Sequence, residues 1–179
     1  MEKSRTRIIR GGLAGVVATL LLILLVVIAV AYTGAYDIAA SSGHTAATRW
    51  FLDTTLQASV RRRAEHPYAE QRLARASVAA GAVEYVAMCE QCHGGPGVEP
   101  HSWTHGMLPV PPPLDLAADR WEPAEVVWIV RHGLKYTGMP AFGADHDDET
   151  LWNIAAFVEE LPAMTPNDYW DHRHAGDHQ

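Results

Sequence analysis

Cysteine is scarce in this sequence: the 179 residues contain only two, Cys89 and Cys92. A structural zinc site built from two cysteine pairs is excluded, because no second pair exists. If one cofactor uses both thiols, none remains for a disulfide. The stretch also lacks the βαβ context of a thioredoxin-like redox motif, since no segment shows convincing period-2 alternation.

Charge is missing from residues 11–31, which read GGLAGVVATLLLILLVVIAVA. A helix of this length, at about 1.5 Å per residue, spans roughly 30 Å, the thickness of a bilayer core. The run therefore predicts a single transmembrane helix. A cleaved signal peptide with the small-residue site Ala29-Val30-Ala31 stays open as the alternative, although the apolar run is longer than a usual signal sequence has.

The charge on either side of that run is unequal. Residues 1–10 contain four basic residues and one acidic residue, whereas Arg49 is the only basic residue among the twenty that follow the run. This asymmetry predicts a cytoplasmic N-terminus, a single pass through the inner (cytoplasmic) membrane and a body in the periplasm. The body has ten basic and twenty acidic residues, which excludes nucleic acid as a partner and leaves redox proteins and membrane lipid.

Composition divides the chain into five segments. We expect a basic tip at 1–10, an anchor at 11–31, a linker at 32–69, a globular domain at 70–164 and a disordered polar tail at 165–179. The linker contains an amphipathic helix over Trp50–Val60. Such a helix rests on lipid head groups or on a partner subunit, or else packs on the globular domain.

The globular domain is predicted to be all-α. Apolar residues recur at helical spacing, and carboxylates or capping residues precede the second and third of these segments. The expected helices cover residues 70–88, 121–132 and 148–161.

One motif carries chemistry: Cys89-Glu90-Gln91-Cys92-His93 is a C-x-x-C-H run, the pattern of c-type haem attachment. The two thiols reach the two vinyl groups on one edge of a porphyrin. The histidine that follows then lies under the ring and binds the iron through its imidazole. We therefore predict one covalent haem c, with Cys89, Cys92 and His93 as cofactor-binding residues and His93 as a metal ligand.

The sixth ligand of the iron is predicted to be Met139, in the run Gly138-Met139-Pro140. A thioether stabilises ferrous over ferric iron and so raises the reduction potential, and the flanking proline stiffens the loop. Met107 is the rival source of a sulfur ligand.

At these residues the chain resembles the class I monohaem cytochromes c, especially the small domains related to subunit III of cbb3-type oxidases. The resemblance covers about Leu73 to Leu161. It implies a class I cytochrome c fold with His/Met ligation, in which an N-terminal helix crosses a C-terminal helix. Seven positions carry the resemblance. The first helix and the haem motif supply Gly81, Tyr85 and Cys89. The second helix supplies Ile154 and Phe157, and the loop between supplies Met139 and Pro140.

The resemblance also implies a loop proline whose carbonyl accepts the Nδ1–H of the axial histidine. Both Pro112 and Pro113 fit this role. Such an acceptor sets the orientation of the imidazole.

The function expected from these features is transfer of single electrons by Fe(II)/Fe(III) cycling, as an electron carrier or electron-transfer subunit of a respiratory chain and not as an enzyme. The partners expected are a dehydrogenase, a quinol-oxidising complex or a terminal oxidase. One alternative is a haem c sensor or peroxidase-like site with a labile sixth ligand. Another is a copper-handling site built from His101, His105 and Met107.

Overall fold

The computed structural model describes residues 2–64 and 67–175. The chain forms two compact units, residues 1–42 and residues 43–179. The described residues contain α-helices and short 3₁₀ turns but no β-strand. The α-helices are α1 (Glu2–Thr33), α2 (Ala46–Arg63), α3 (Ala69–Leu73), α4 (Val78–Met88), α5 (Glu90–His93), α6 (Leu114–Ala117), α7 (Pro123–His132), α8 (Asp148–Glu160) and α9 (Pro166–His174). The 3₁₀ turns cover Ser102–Gly106, Ala118–Arg120 and Leu161–Ala163. The all-α prediction is confirmed.

The first unit is dominated by α1. Within the part of the chain that the structure describes, one segment, Ile9–Thr33, is long and apolar enough to span a membrane, with a mean hydropathy of 3.2. Its side chains are exposed to the surroundings along the whole span. This agrees with the predicted transmembrane segment by length and composition, the same criteria that a signal sequence meets.

The core of the second unit lies where α4 meets α8. Every residue of α8 from Leu151 to Val158 is buried, and Tyr85 of α4 is fully buried against this face. The ring of Phe157 lies 5.2 Å from that of Tyr85, tilted by 54°. A pair of terminal helices crossing beside the haem motif is the arrangement of the class I cytochrome c fold, as the resemblance implied.

The helix predicted over residues 70–88 is two helices, α3 and α4. The chain breaks between them because Ser77 starts α4 by accepting the Ala80 N–H on its hydroxyl, at 3.2 Å. The Ser77 N–H donates to Oδ1 of Asn153, on α8, at 2.7 Å. A tertiary contact therefore fixes the start of α4, and periodicity alone could not locate it.

The helices on the other side of the domain begin at capping residues. The Glu122 and Glu125 side chains form a reciprocal capping box, so α7 starts at Pro123 and not at residue 121. Asp147 accepts the Thr150 N–H at 2.9 Å and starts α8, as its sequence position predicted.

The predicted disorder of residues 165–179 is wrong for the residues up to 175, and the remaining four lie outside the described residues. Thr165 and Asp168 form a capping box that starts α9 at Pro166. Tyr169 is fully buried in the main core cluster. A single apolar anchor in a polar segment explains both the packing of this helix and the failure of composition to predict it.

The connector helix α2 packs on the globular domain. Val60 is fully buried in a small cluster with Ala64 and Ile129 of α7. Trp50 and Phe51, near the other end of the helix, are exposed. Of the alternatives for this helix, packing on the domain therefore holds for its C-terminal half.

Candidate haem site

The C-x-x-C-H residues form one tight turn at the end of α4. Cys89 ends α4 and starts α5, and its carbonyl accepts the N–H groups of Cys92 and His93 at 3.0 and 2.9 Å. Both thiols are free and partly buried. Burial raises the pKa of the Cys89 thiol to about 12, so it stays a neutral thiol at neutral pH. Two free thiols one helical turn apart suit addition to two neighbouring vinyl groups.

A hydrogen bond at Nδ1 holds the imidazole of His93 in one orientation. Its Nδ1 lies 2.8 Å from the carbonyl oxygen of Pro112, which can only accept, so Nδ1–H is the donor. Burial lowers the pKa of His93, and the bond to Pro112 acts in the opposite direction. The neutral ring thus keeps the Nε2 lone pair for a metal. Of the two prolines that the resemblance left open, the structure gives Pro112.

A buried hydroxyl fixes the chain directly after His93. Tyr85, inside α4, donates to the carbonyl of Gly94 at 2.8 Å. Gly94 ends α5 with φ of 65°, in the left-handed region that favours glycine. The residue that follows His93 is therefore hydrogen-bonded to α4, the helix that precedes the haem motif.

Met139 lies in a compact loop between α7 and α8. The Leu134 N–H donates to the Met139 carbonyl at 3.3 Å, and the Thr137 hydroxyl donates to the Leu134 carbonyl at 2.8 Å. The Met139 N–H in turn donates to that hydroxyl at 3.1 Å. These bonds hold the loop closed, and the Met139 side chain is partly buried against both core clusters.

The rival methionine lies beside the same loop. The Cε methyl of Met107 occupies the space next to Gly138, where an added Cβ would come within 1.8 Å of it. Met107 is partly buried. The structure therefore brings both candidate sulfur ligands to one region, and the choice of Met139 stays a prediction.

Two of the predicted site residues, Cys89 and Met139, pack against the main core cluster. Leu114 packs against the same cluster, and it follows Pro112, the partner of His93, by two residues. The predicted donor set is two thiols, one neutral imidazole and a thioether. This set fits a covalently attached haem. It does not fit zinc, which prefers four nitrogen, sulfur or oxygen ligands and rarely takes a thioether.

The described histidines outside the motif do not form a metal cluster. Within residues 2–64 and 67–175, no group of three or more His, Cys, Asp or Glu side chains is placed to hold a metal ion. His101 contacts Trp103, whose indole N–H donates to its Nδ1 at 3.4 Å. The copper-handling alternative therefore gains no support from this geometry.

Sequence reasoning missed the residues of α9 that contact the haem motif. The Glu90 carboxylate, between the two cysteines, accepts hydrogen bonds from Tyr169 and Arg173 of α9. The Thr165 and Asp168 capping box was the available signal that a helix begins there. Composition alone had assigned this segment to a tail.

Comparison with known protein families matches part of the chain to one of them. Residues 76–158 match the family model described as cytochrome C oxidase, cbb3-type, subunit III. This segment contains α4, the C-x-x-C-H turn, the Met139 loop and most of α8, whereas α9 lies beyond it. No curated protein gives a significant match, and no solved structure does.

Proposed function

Because residues 76–158 form a cytochrome c domain of the cbb3-type oxidase subunit III family, we propose that this protein is a membrane-anchored periplasmic carrier of single electrons. The domain type is an electron-transfer module with covalent haem c. The observation that carries the proposal for this chain is the Cys89–His93 turn, with His93 Nδ1 bonded to Pro112 and Nε2 left available.

Each site residue has one task in this proposal. Cys89 and Cys92 attach the cofactor through thioether bonds, and His93 binds the iron through Nε2. The bond from His93 to Pro112 keeps the imidazole orientation constant. Met139, from its hydrogen-bonded loop, would offer its thioether sulfur to the iron.

The haem supplies one-electron cycling between ferrous and ferric iron. The hydrogen bonds on His93 and on the Met139 loop would hold these two residues in the same place in both states, so that little reorganisation would accompany the transfer. The apolar residues that pack against Met139 and Cys89 exclude water from this side of the domain. Exclusion of water and a thioether ligand both favour a raised potential.

Membrane anchoring rests on α1 and on the charge around it. The uncharged run of residues 11–31 lies within the candidate span Ile9–Thr33, and the four basic residues of the N-terminal tip precede that run. With a cytoplasmic N-terminus, the acidic domain lies in the periplasm of a bacterium. Attachment to the membrane confines encounters with partners to two dimensions. The fitting partners are a dehydrogenase or quinol-oxidising complex as donor and a terminal oxidase as acceptor.

The test uses the full chain, produced in a bacterium that matures c-type cytochromes. We expect haem that survives denaturing electrophoresis in the membrane fraction, and a domain that external protease removes from spheroplasts. A variant with Cys89→Ala and Cys92→Ala together is the control and should lose the haem stain. Haem protein that stays in the cytoplasm would contradict the location, and a high-spin ferric spectrum would favour the small-ligand site instead.

Pull-down from detergent-solubilised membranes then identifies the partners. Recovery of dehydrogenase or oxidase subunits in fixed ratio would indicate an accessory subunit, whereas recovery of the protein alone would indicate a transient carrier.

A further inference from the structure

The two cysteines of the haem motif enclose a carboxylate that is almost completely buried. The Glu90 side chain is only 11% exposed. A lone carboxylate buried to this degree is costly unless hydrogen bonds and a cation compensate it. The groups that compensate the Glu90 charge therefore affect any cofactor that the motif holds.

The compensation comes from α9. Arg173 donates to the Glu90 carboxylate through Nε at 2.8 Å and through Nη2 at 3.0 Å, the two-pronged geometry of a strong guanidinium–carboxylate pair. Tyr169 donates its hydroxyl to Oε2 at 2.8 Å. Three directed donors thus meet one carboxylate next to Cys89.

The same helix also closes over the turn that follows His93. An added Cβ at Gly95 would lie 2.3 Å from Cζ of the Tyr169 ring. The Tyr169 ring is fully buried and meets the Tyr85 ring edge-on at 6.4 Å. Helix α9 thus contacts the backbone that follows the motif as well as the Glu90 side chain.

We infer that Tyr169 and Arg173 of α9 form a clasp with Glu90 on the haem-attachment turn. Through Glu90, these two residues set the reduction potential of the haem. We define the clasp as Glu90, Tyr169 and Arg173. Glu90 lies inside the segment that matches the family, whereas Tyr169 and Arg173 of α9 lie beyond it. These are positioning residues, because they act on the cofactor through the motif and not by contact with the electron partner.

The physical reason is the sign of the charge beside the iron. A negative charge near the haem stabilises the ferric state, which carries one more positive charge, and so lowers the potential. With Arg173 paired, the Glu90 charge is balanced locally. Removing the cation leaves more negative charge beside the haem, and removing the carboxylate takes a negative charge away from it.

The test measures the midpoint potential of the full-length holoprotein by spectroelectrochemical titration. Arg173→Gln should lower the potential and Glu90→Gln should raise it. The double variant should return close to the wild-type value, since both charges are then absent. Arg173→Lys keeps the charge but loses the two-pronged geometry, and should keep the potential within a small shift of the wild type.

A purely structural role predicts a different pattern. Any loosening of α9 would admit water and shift both single variants in the same direction, in step with their loss of unfolding free energy. Shifts of equal sign, or no shift in either variant, would overturn the proposal. Arg75→Gln, which neutralises an exposed arginine outside the clasp, is the control for net charge and should move the potential less than Arg173→Gln.

The inference rests on the haem attachment in the proposed function, and the two fail differently. If the attachment is wrong, the wild type itself carries no covalent haem. If only the clasp is wrong, the wild type carries haem and the charge variants keep its potential. Denaturant unfolding of each variant, followed by tryptophan fluorescence, supplies a second readout that does not depend on electron transfer.

Discussion

The backbone carbonyl of Asn153 occupies the space into which a side chain on Gly81 would project. A Cβ at Gly81 would lie 1.9 Å from this oxygen and 3.0 Å from Cβ of Phe157. The close approach of α4 and α8 thus requires glycine, and the obstacle is backbone that cannot rotate away. Since α4 leads directly into Cys89, this crossing fixes the position of the haem motif.

Gly81→Ala should therefore destabilise the protein by about 1–3 kcal/mol, because the crowded core has to separate the two helices. Denaturant unfolding of the holoprotein measures this loss. Gly106→Ala is the matched control, since a Cβ there would meet nothing within 4 Å, and it should leave the unfolding free energy nearly unchanged. Equal stability of the two variants would contradict the crossing as described.

Much of this architecture could be predicted from the sequence, since local signals carry it. The C-x-x-C-H spacing gave the attachment turn, helical periodicity gave α8, and the resemblance gave the Gly81 and Tyr85 positions in the crossing. These features depend on spacing within one element, or on motifs that match a family pattern residue by residue.

The features that were missed depend on contacts between distant parts of the chain. The break before α4 is set by Asn153, 76 residues from Ser77. The helix α9 is stable because one tyrosine, Tyr169, enters the core and Arg173 meets Glu90. A window of local sequence contains none of these partners, so composition gave a disordered tail where the structure has a packed helix.

The identity of the sulfur ligand is the next prediction. Met139→Leu preserves the side-chain volume but removes the thioether, so the ferric protein should lose its sulfur-to-iron charge-transfer band and its potential should fall. Met107→Leu, beside Gly138 in the same region, is the matched control and should keep the band. The reverse result would assign the ligand to Met107.

The docking of α2 gives a further prediction. Val60 is fully buried against Ile129, and Val60→Ala removes two methyl-sized groups at about 0.8 kcal/mol each. We expect the unfolding free energy to fall by roughly 1.5 kcal/mol. Phe51→Ala, on the exposed end of the same helix, should change it little. If the two variants unfold at the same denaturant concentration as the wild type, α2 does not pack on the domain in solution.

The buried tyrosine of α4 predicts how stability depends on alkaline pH. Burial is the main reason that the pKa of Tyr85 lies far above its ordinary value. In the unfolded chain this phenol loses its proton near pH 10, whereas in the folded protein it keeps it. The unfolded state then binds fewer protons, so the contribution of Tyr85 to the unfolding free energy is constant below about pH 10 and falls above it, by up to about 1.4 kcal/mol per pH unit.

Tyr85→Phe separates the two roles of this residue. At neutral pH it should cost about 1–3 kcal/mol, because the Gly94 carbonyl loses its donor in a buried position. Above pH 10 the variant should lose stability less steeply than the wild type, since one titrating group is gone. Tyr136→Phe, which changes an exposed ring, should leave the stability at neutral pH unchanged. An alkaline slope identical in wild type and Tyr85→Phe would show that this hydroxyl is accessible to water in the folded protein, and the tie between α4 and the turn after His93 would then be absent.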